Sequence, residues 1–381
     1  MTLRVVDITQ WYAPRSGGIR TYLHAKAQYA RARRLRHALI VPGGAPAVTR
    51  VERSPVAVVP ALPTAQETGY RLIPHPRPIL RWLERLDPGV VVVHDATAFP
   101  RSISRWARSR GVPVVLLVHS ELQAGAAGAP AALRLPAQHV LRSIQQRGLD
   151  GPDAVIATAP SVARRLNAAS GVHVLVSPLG VDTDVFRPRP ADPVLRRTLA
   201  EPNQTLLLHV GRISSDKHPE LLIEMLAALH DDGVVLAIAG AGSAARPLEG
   251  LARDLGVLDA VRFLGHVDDR ATIATLCATA DAFVHANPGE TFGLAPLEAL
   301  ACGTRVVVPA DAGVTETPAG ALMTRVAPGD PAALAAGVRS ALLEPPPRPD
   351  LDQLGWAAAF DREWALYGLL AGRAADATVA A

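Results

Sequence analysis

Lysine is nearly missing from this chain: its 381 residues include two, Lys26 and Lys217, against 37 arginines. A composition that so prefers the guanidinium keeps an ammonium where a compact point charge has a use. Cysteine is as scarce. Cys277 and Cys302 cannot staple a fold of this length, which excludes a disulfide scaffold and fits a reducing compartment. Cys302, set in A-C-G-T, reads as packing rather than chemistry. Aromatic residues make up 4% of the chain and apolar residues 49%, so Ala, Val and Leu must fill the interior. No apolar run approaches ~20 residues and no secretory leader is visible, so the chain is expected neither to be secreted nor to span a bilayer.

Charge is uneven along the sequence. Residues 1 to 180 carry 23 Lys/Arg and 9 Asp/Glu, and residues 181 to 381 carry 16 and 26, so the halves stand at +14 and −10 and sum to the net +4. Basic residues are densest at Lys26, Arg31, Arg33, Arg34 and Arg36, with more at Arg101, Arg105, Arg108 and Arg110. An anionic partner for the first half follows, and an anionic membrane surface is one candidate. The expected location is the cytoplasm, with peripheral contact at the inner membrane. Nucleic acid is not expected.

The pattern alternates strand and helix. Apolar runs place strands at Leu3 to Ile8, Ala38 to Val41, Val90 to Val93, Val114 to His119, Ala154 to Thr158 and Val172 to Val176. A second set falls at Leu206 to Val210, Val234 to Ala239, Val261 to Leu264, Ala282 to His285 and Arg305 to Val308. Continuous apolar strands belong to parallel sheets covered on both faces, so the fold class is α/β with two doubly wound Rossmann-like domains. Their expected extents are 1–180 and 181–355. Trp356, Phe360, Trp364 and Tyr367 then space a C-terminal helix over 356–371, and a disordered tail is expected over 372–381.

The densest motif runs from Ala282 to Pro309, with Glu290 and Glu298 eight positions apart. A strand, a Gly-containing loop and a helix from Ala295 are expected, with Pro296 in the first turn. The N–H groups of Thr291, Phe292, Gly293 and Leu294 would face outward at the helix N-terminus and attract phosphate. Glu298, read as first-turn, could hold a vicinal diol such as ribose, although the helix macrodipole alone favours an acid there. Gly211, Arg212 and Lys217 follow the strand ending at Val210 and form a cationic clamp for an anion. Gly240 and Gly242 shape a loop near the same ligand. Gly17 and Gly18, at the first helix, read as an ordinary glycine turn.

These pieces resemble the retaining glycosyltransferases of family 4, which have the GT-B architecture. The resemblance also takes in Pro14-Arg15-Ser16-Gly17-Gly18, the phrase Ser177-Pro178-Leu179-Gly180-Val181-Asp182 with Phe186 and Pro188, and Trp356. Within the family it is nearest to the actinobacterial phosphatidylinositol mannosyltransferases, through Tyr12 to Thr21, Gly211 to His218 and Glu290 to Gly303. It implies two domains facing a cleft, with the C-terminal helix crossing back to the first. It implies transfer of a hexose, mannose from GDP-mannose ahead of glucose or N-acetylglucosamine from UDP, to a lipid or glycan such as a phosphatidylinositol mannoside. Configuration would be retained. By the same resemblance Gly17 and Gly18 approach a phosphate or the acceptor, and His119 acts near the transferred sugar beside Arg212, Lys217 and Glu290.

No cofactor or metal is expected. Asp182-Thr183-Asp184 imitates a metal-binding Asp-x-Asp but lies in the linker phrase, and Asp231-Asp232 and Asp268-Asp269 read as solvated turns. His94-Asp95, at a neighbouring strand end, is a further candidate for acceptor contact. A UDP-sugar-dependent transferase with a soluble acceptor, an epimerase or phosphorylase of the same fold, and a non-catalytic nucleotide-sugar binder remain open at this level.

Overall fold

A computed structural model describes residues 3–13, 17–64, 69–119, 131–170 and 174–379. Pro14, Arg15 and Ser16 of the N-terminal motif lie outside them. The chain divides into two compact units, one of residues 1–179 with 356–381 and one of residues 180–355.

In the first unit the strands are β1 (Arg4–Ile8), β2 (Arg36–Gly43), β3 (Ala47–Val51), β4 (Ser54–Pro60), β5 (Leu62–Pro63), β6 (Arg71–Leu72), β7 (Val90–Val93), β8 (Val114–Val118), β9 (Ala154–Ala157) and β10 (Val174–Val176). Eight of them form one sheet in the order β10-β9-β8-β7-β1-β2-β4-β3. All pairs are parallel except β3 with β4. Val90 to Val93 are each fully buried. Successive strand residues point to opposite faces, so both faces of the sheet are covered.

Helices α1 (Gly18–Ala32), α2 (Arg77–Leu86), α3 (Pro100–Arg108), α4 (Ala131–Leu149) and α5 (Pro160–Ser170) connect these strands. The last helix of the chain packs on α1. Tyr22 meets Trp356 and Phe360 at ring-centroid distances of 5.9 and 5.3 Å, and Tyr29 meets Trp364 at 5.4 Å. That helix runs from Trp356 to Val379, well past the expected end at 371. The tail read as disordered is Ala-rich, and alanine extends a helix at little cost.

The second unit holds β11 (Thr205–Val210), β12 (Val234–Ala239), β13 (Val261–Gly265), β14 (Ala282–Val284), β15 (Arg305–Pro309) and β16 (Thr324–Val326). They form an all-parallel sheet in the order β13-β12-β11-β14-β15-β16. Helices α6 (Pro193–Leu199), α7 (Glu220–Ala228), α8 (Ala245–Asp254), α9 (Arg270–Thr279), α10 (Leu294–Ala301), α11 (Pro331–Leu343) and α12 (Leu351–Leu354) accompany the strands. Its core of Leu, Val and Ile centres on β11, β12 and α7.

Strand order reverses between β1 and β7 in one sheet and between β11 and β14 in the other. A crevice opens beyond the strand C-termini at such a reversal. The residues just past those ends therefore line each crevice.

Candidate functional site

In the second unit, β11 delivers Gly211 and Arg212, and a single 3-10 turn over Ser215–Lys217 delivers Lys217. Beyond β14 the chain runs through Asn287 and Glu290 to Gly293, whose φ of +100° caps α10. An L side chain rarely adopts that conformation, so glycine belongs there. The loop is pinned from one side: Gly313 N–H donates to the Glu290 carbonyl at 2.9 Å and Val314 N–H to that of Phe292 at 2.7 Å. The N–H groups of Thr291, Phe292, Gly293 and Leu294 find no acceptor among the described residues. They remain available to an anion at the helix N-terminus.

The fold brings Lys217 and Glu290 into direct contact, Nζ to Oε2 at 2.8 Å. Asn287 Nδ2 donates to the same oxygen at 2.7 Å, and His285 Nε2 stands 3.6 Å from it. Burial by itself would raise the Glu290 carboxyl, but the Lys217 charge and the neighbouring His285 outweigh it and hold the acid well below the usual carboxylate range. Arg212 lies more exposed, 3.3 Å from Asp216. Both clamp cations thus carry carboxylate partners that an incoming anion must share or displace.

Glu298 differs from the expectation. Helix α10 starts at Leu294, so Glu298 is its fifth residue and lies beyond the first turn. Gly293 ends the loop early and lets the helix begin one residue sooner than Ala295. Arg270, not the helix end, provides for its charge: Nη2 donates to Glu298 Oε1 at 2.9 Å, and the guanidinium lies 4.7 Å from the Phe186 ring centroid. Burial still moves the Glu298 carboxyl upward, against the pull of Arg270.

Gly240 and Gly242 owe their identity to packing. A Cβ on Gly240 would strike the Gly211 carbonyl, and one on Gly242 that of Ile213. These close approaches let the loops after β11 and β12 bond to each other, Ile213 N–H to the Ala241 carbonyl at 3.0 Å and Ala244 N–H to that of Ile213 at 3.0 Å. His209 donates Nδ1–H to the Val284 carbonyl at 2.9 Å, and burial beside His285 lowers its pKa to about 4. Asp182 Oδ1 accepts the Asp184 N–H at 3.2 Å in a turn. Asp269 caps α9, and Asp232 pairs with Arg339.

In the first unit, Gly17 is the exposed N-cap of α1 and Gly18 its first residue. His119 directly follows β8 and is half-buried, with Nε2 2.9 Å from His94 Nδ1. His94 is 1% exposed with both ring nitrogens engaged. Asp95 is spent on Gln10 and Thr97. Neither residue is left for the acceptor contact proposed from sequence.

Lys26 also departs from its expected surface role. It is fully buried, 2.8 Å from Asp7 and 3.4 Å from Glu363. In the same basic stretch, Arg31 and Arg33 are paired with Glu52 and Asp361. Sequence reasoning missed Asp7, His37, Asn287 and Arg270. The rarity of lysine was the available signal, since each of the two lysines marks a carboxylate partner.

Residues 16–185 match the family described as Glycosyltransferase Family 4, and residues 193–355 match Glycosyl transferases group 1. A GDP-mannose-dependent alpha-(1-6)-phosphatidylinositol dimannoside mannosyltransferase of Mycobacterium tuberculosis is 35% identical over 317 residues, 82% of this chain and 81% of that protein. This chain belongs to glycosyltransferase family 4. It is a glycosyltransferase of the GT-B fold that takes its sugar from a nucleotide-sugar. A D-inositol 3-phosphate glycosyltransferase of Actinosynnema mirum is 35% identical over 62% of this chain and 60% of that protein. Among solved structures, sucrose-phosphate synthase from Thermosynechococcus elongatus superimposes with a TM-score of 0.77 at 19% identity, covering 96% of this chain and 99% of that one. No helix among the described residues is long and apolar enough to cross a membrane.

Proposed function

We propose that this chain is a retaining α-mannosyltransferase that moves mannose from GDP-mannose to an acceptor built on a phosphorylated inositol, a phosphatidylinositol mannoside above all. The observation that carries the reading is the Lys217 and Glu290 pair beside the open N–H groups before α10, in a chain 35% identical to a mannosyltransferase over most of its length.

When the glycosidic bond breaks, negative charge grows on the departing diphosphate. Lys217, Arg212 and the N–H groups of residues 291 to 294 are donors fixed before that charge appears, which lowers the barrier. Glu290 takes sugar hydroxyls, and Glu298, steadied by Arg270, takes the ribose diol. The acceptor oxygen attacks the anomeric carbon on the face the phosphate leaves. The new carbon–oxygen bond replaces the one to phosphate, and the acceptor proton passes to a phosphate oxygen. The cations and N–H groups of the site supply the positive field of this scheme, so it calls on no divalent ion.

The relatives support an anionic inositol-containing acceptor, because a phosphatidylinositol dimannoside and D-inositol 3-phosphate share a phosphorylated inositol ring. The second name favours a second reading, transfer to a soluble inositol phosphate. Contact with an anionic bilayer belongs to the first reading and draws on the +14 charge of residues 1 to 180. Thermal unfolding in the presence of GDP-mannose, UDP-glucose and UDP-N-acetylglucosamine tests the donor: at 100 times its Kd a ligand adds about 2.7 kcal/mol to the folded state. Stabilisation by GDP-mannose alone supports the reading. Stabilisation by a UDP-sugar alone replaces the donor.

A further inference from the structure

Three adjacent strands, β8, β7 and β1, end in a chain of hydrogen bonds that runs into the protein. His119 Nε2 lies 2.9 Å from His94 Nδ1, and His94 Nε2 lies 2.7 Å from Asp7 Oδ1. Asp7 is fully buried and also meets Lys26 at 2.8 Å and, through its other oxygen, His37 Nε2 at 2.5 Å. An ionised carboxylate can only accept, so each of these neighbours must donate. His37 fits: with Nε2 donating to Asp7, its Nδ1 is free to accept from the Ser54 hydroxyl at 2.8 Å.

The same elimination passes outward. His94 must carry its proton on Nε2. Carrying that one proton, His94 presents a bare Nδ1, and His119 then donates its Nε2–H to it. The one remaining ring atom able to bond, His119 Nδ1, is left as a lone pair.

We propose that Asp7 and His94 are positioning residues that lock His119 in a single tautomer, protonated at Nε2 and bare at Nδ1, so that it offers an acceptor to a hydroxyl of the sugar substrate. The substrate clause rests on the functional reading above; the tautomer does not. Burial, reinforced by His94 and Lys26, also keeps the His119 imidazole well below its ordinary range, hence neutral near pH 7. A bare nitrogen selects against phosphate and carbonyl oxygens, which bring no proton, and in favour of hydroxyls. Lys26 is held in place by Glu363, which accepts from the Tyr22 and Tyr367 hydroxyls at 2.5 and 2.8 Å. The last helix thereby supports the relay.

The test uses the full chain with 15N-labelled histidine and long-range 15N–1H correlation spectra, the His119 signals being assigned by their loss in His119→Asn. The expected spectrum shows His119 protonated at Nε2 only. Protonation at Nδ1, or at both nitrogens near pH 7, overturns the proposal. His94→Leu should release the tautomer and lower kcat/KM for GDP-mannose roughly tenfold, the scale of one hydrogen bond. His94→Gln, whose amide can donate to Asp7 and accept from His119, should keep the Nε2-protonated form and recover activity to within about threefold of wild type. A His94→Leu protein that folds, by circular dichroism, with tautomer and activity unchanged contradicts the relay. If His94→Leu does not fold, the wild-type and His94→Gln spectra decide the question. Absence of turnover of any nucleotide-sugar by wild type would remove the functional reading, and the spectrum would still test the relay.

Discussion

Lys217→Ala separates the catalytic from the structural share of the Lys217 and Glu290 pair. Deleting one fixed donor to a developing oxyanion costs about 2.7 to 4 kcal/mol, or roughly 100- to 1,000-fold in kcat. The substitution also strands Glu290, whose remaining hydrogen-bond donor among the described residues is Asn287 at 2.7 Å. Breaking a fully buried ion pair costs about 3 to 5 kcal/mol, but the Lys217 and Glu290 side chains are 28% and 17% exposed. Water softens the loss, and about 1 to 2 kcal/mol of stability is expected.

The pH dependence has a definite sign. The folded-state pKa of Glu290 is depressed, so the pair's contribution is complete above the unfolded carboxyl value of about 4.3 and fades as pH falls below it. Wild type should exceed Lys217→Ala in stability by a constant amount from pH 7 to about 5, and the gap should narrow below about pH 4.3. Urea unfolding at a series of pH values, with kcat measured on GDP-mannose, checks both parts. A folded Lys217→Ala with near-normal kcat, or a stability gap that widens in acid, would refute the reasoning.

Arg270→Gln removes the cation that steadies Glu298 and should raise KM for the nucleotide-sugar about tenfold, as loss of one charged hydrogen bond implies; its kcat should change much less, and an unchanged KM would contradict the ribose role. Initial rates should be the same with and without EDTA, and activity abolished by chelator and restored by magnesium would return attention to Asp182 and Asp184. Arg34 and Arg36 are the exposed cations of the basic stretch that form no ion pair among the described residues. Arg34→Gln with Arg36→Gln should therefore weaken binding to anionic vesicles by about 2 kcal/mol at low salt. Equal binding of this variant and wild type would remove these two residues from any membrane contact.

Most strands of both sheets were legible because they are apolar runs such as Val90 to Val93, whereas β16, Thr324–Val326, offers only one apolar residue. The β3 and β4 hairpin was not, since Ala47–Val51 is largely exposed and breaks its apolar residues with Thr49 and Arg50, and its turn places Glu52 at φ +54° without a glycine. The Lys217 and Glu290 partners could be named from sequence, but not their contact, which spans 73 positions. The sequence puts Glu298 in the first turn because nothing local reveals that Gly293 caps the helix early. Asp7, His37 and His94 carry no motif of their own. They lie 30 and 87 positions from one another through Asp7 and meet because β2, β1 and β7 are neighbours. Sequence proximity groups Lys26 with surface arginines and conceals that α1 turns it inward.

The central claim is tested most directly by incubating the chain with GDP-mannose and a phosphatidylinositol mannoside and examining the product by mass spectrometry and NMR. The account predicts an acceptor heavier by one hexose, joined by an α linkage, with GDP released in equal amount. Release of GDP and free mannose without a mannosylated acceptor, or a β-linked product, would contradict it.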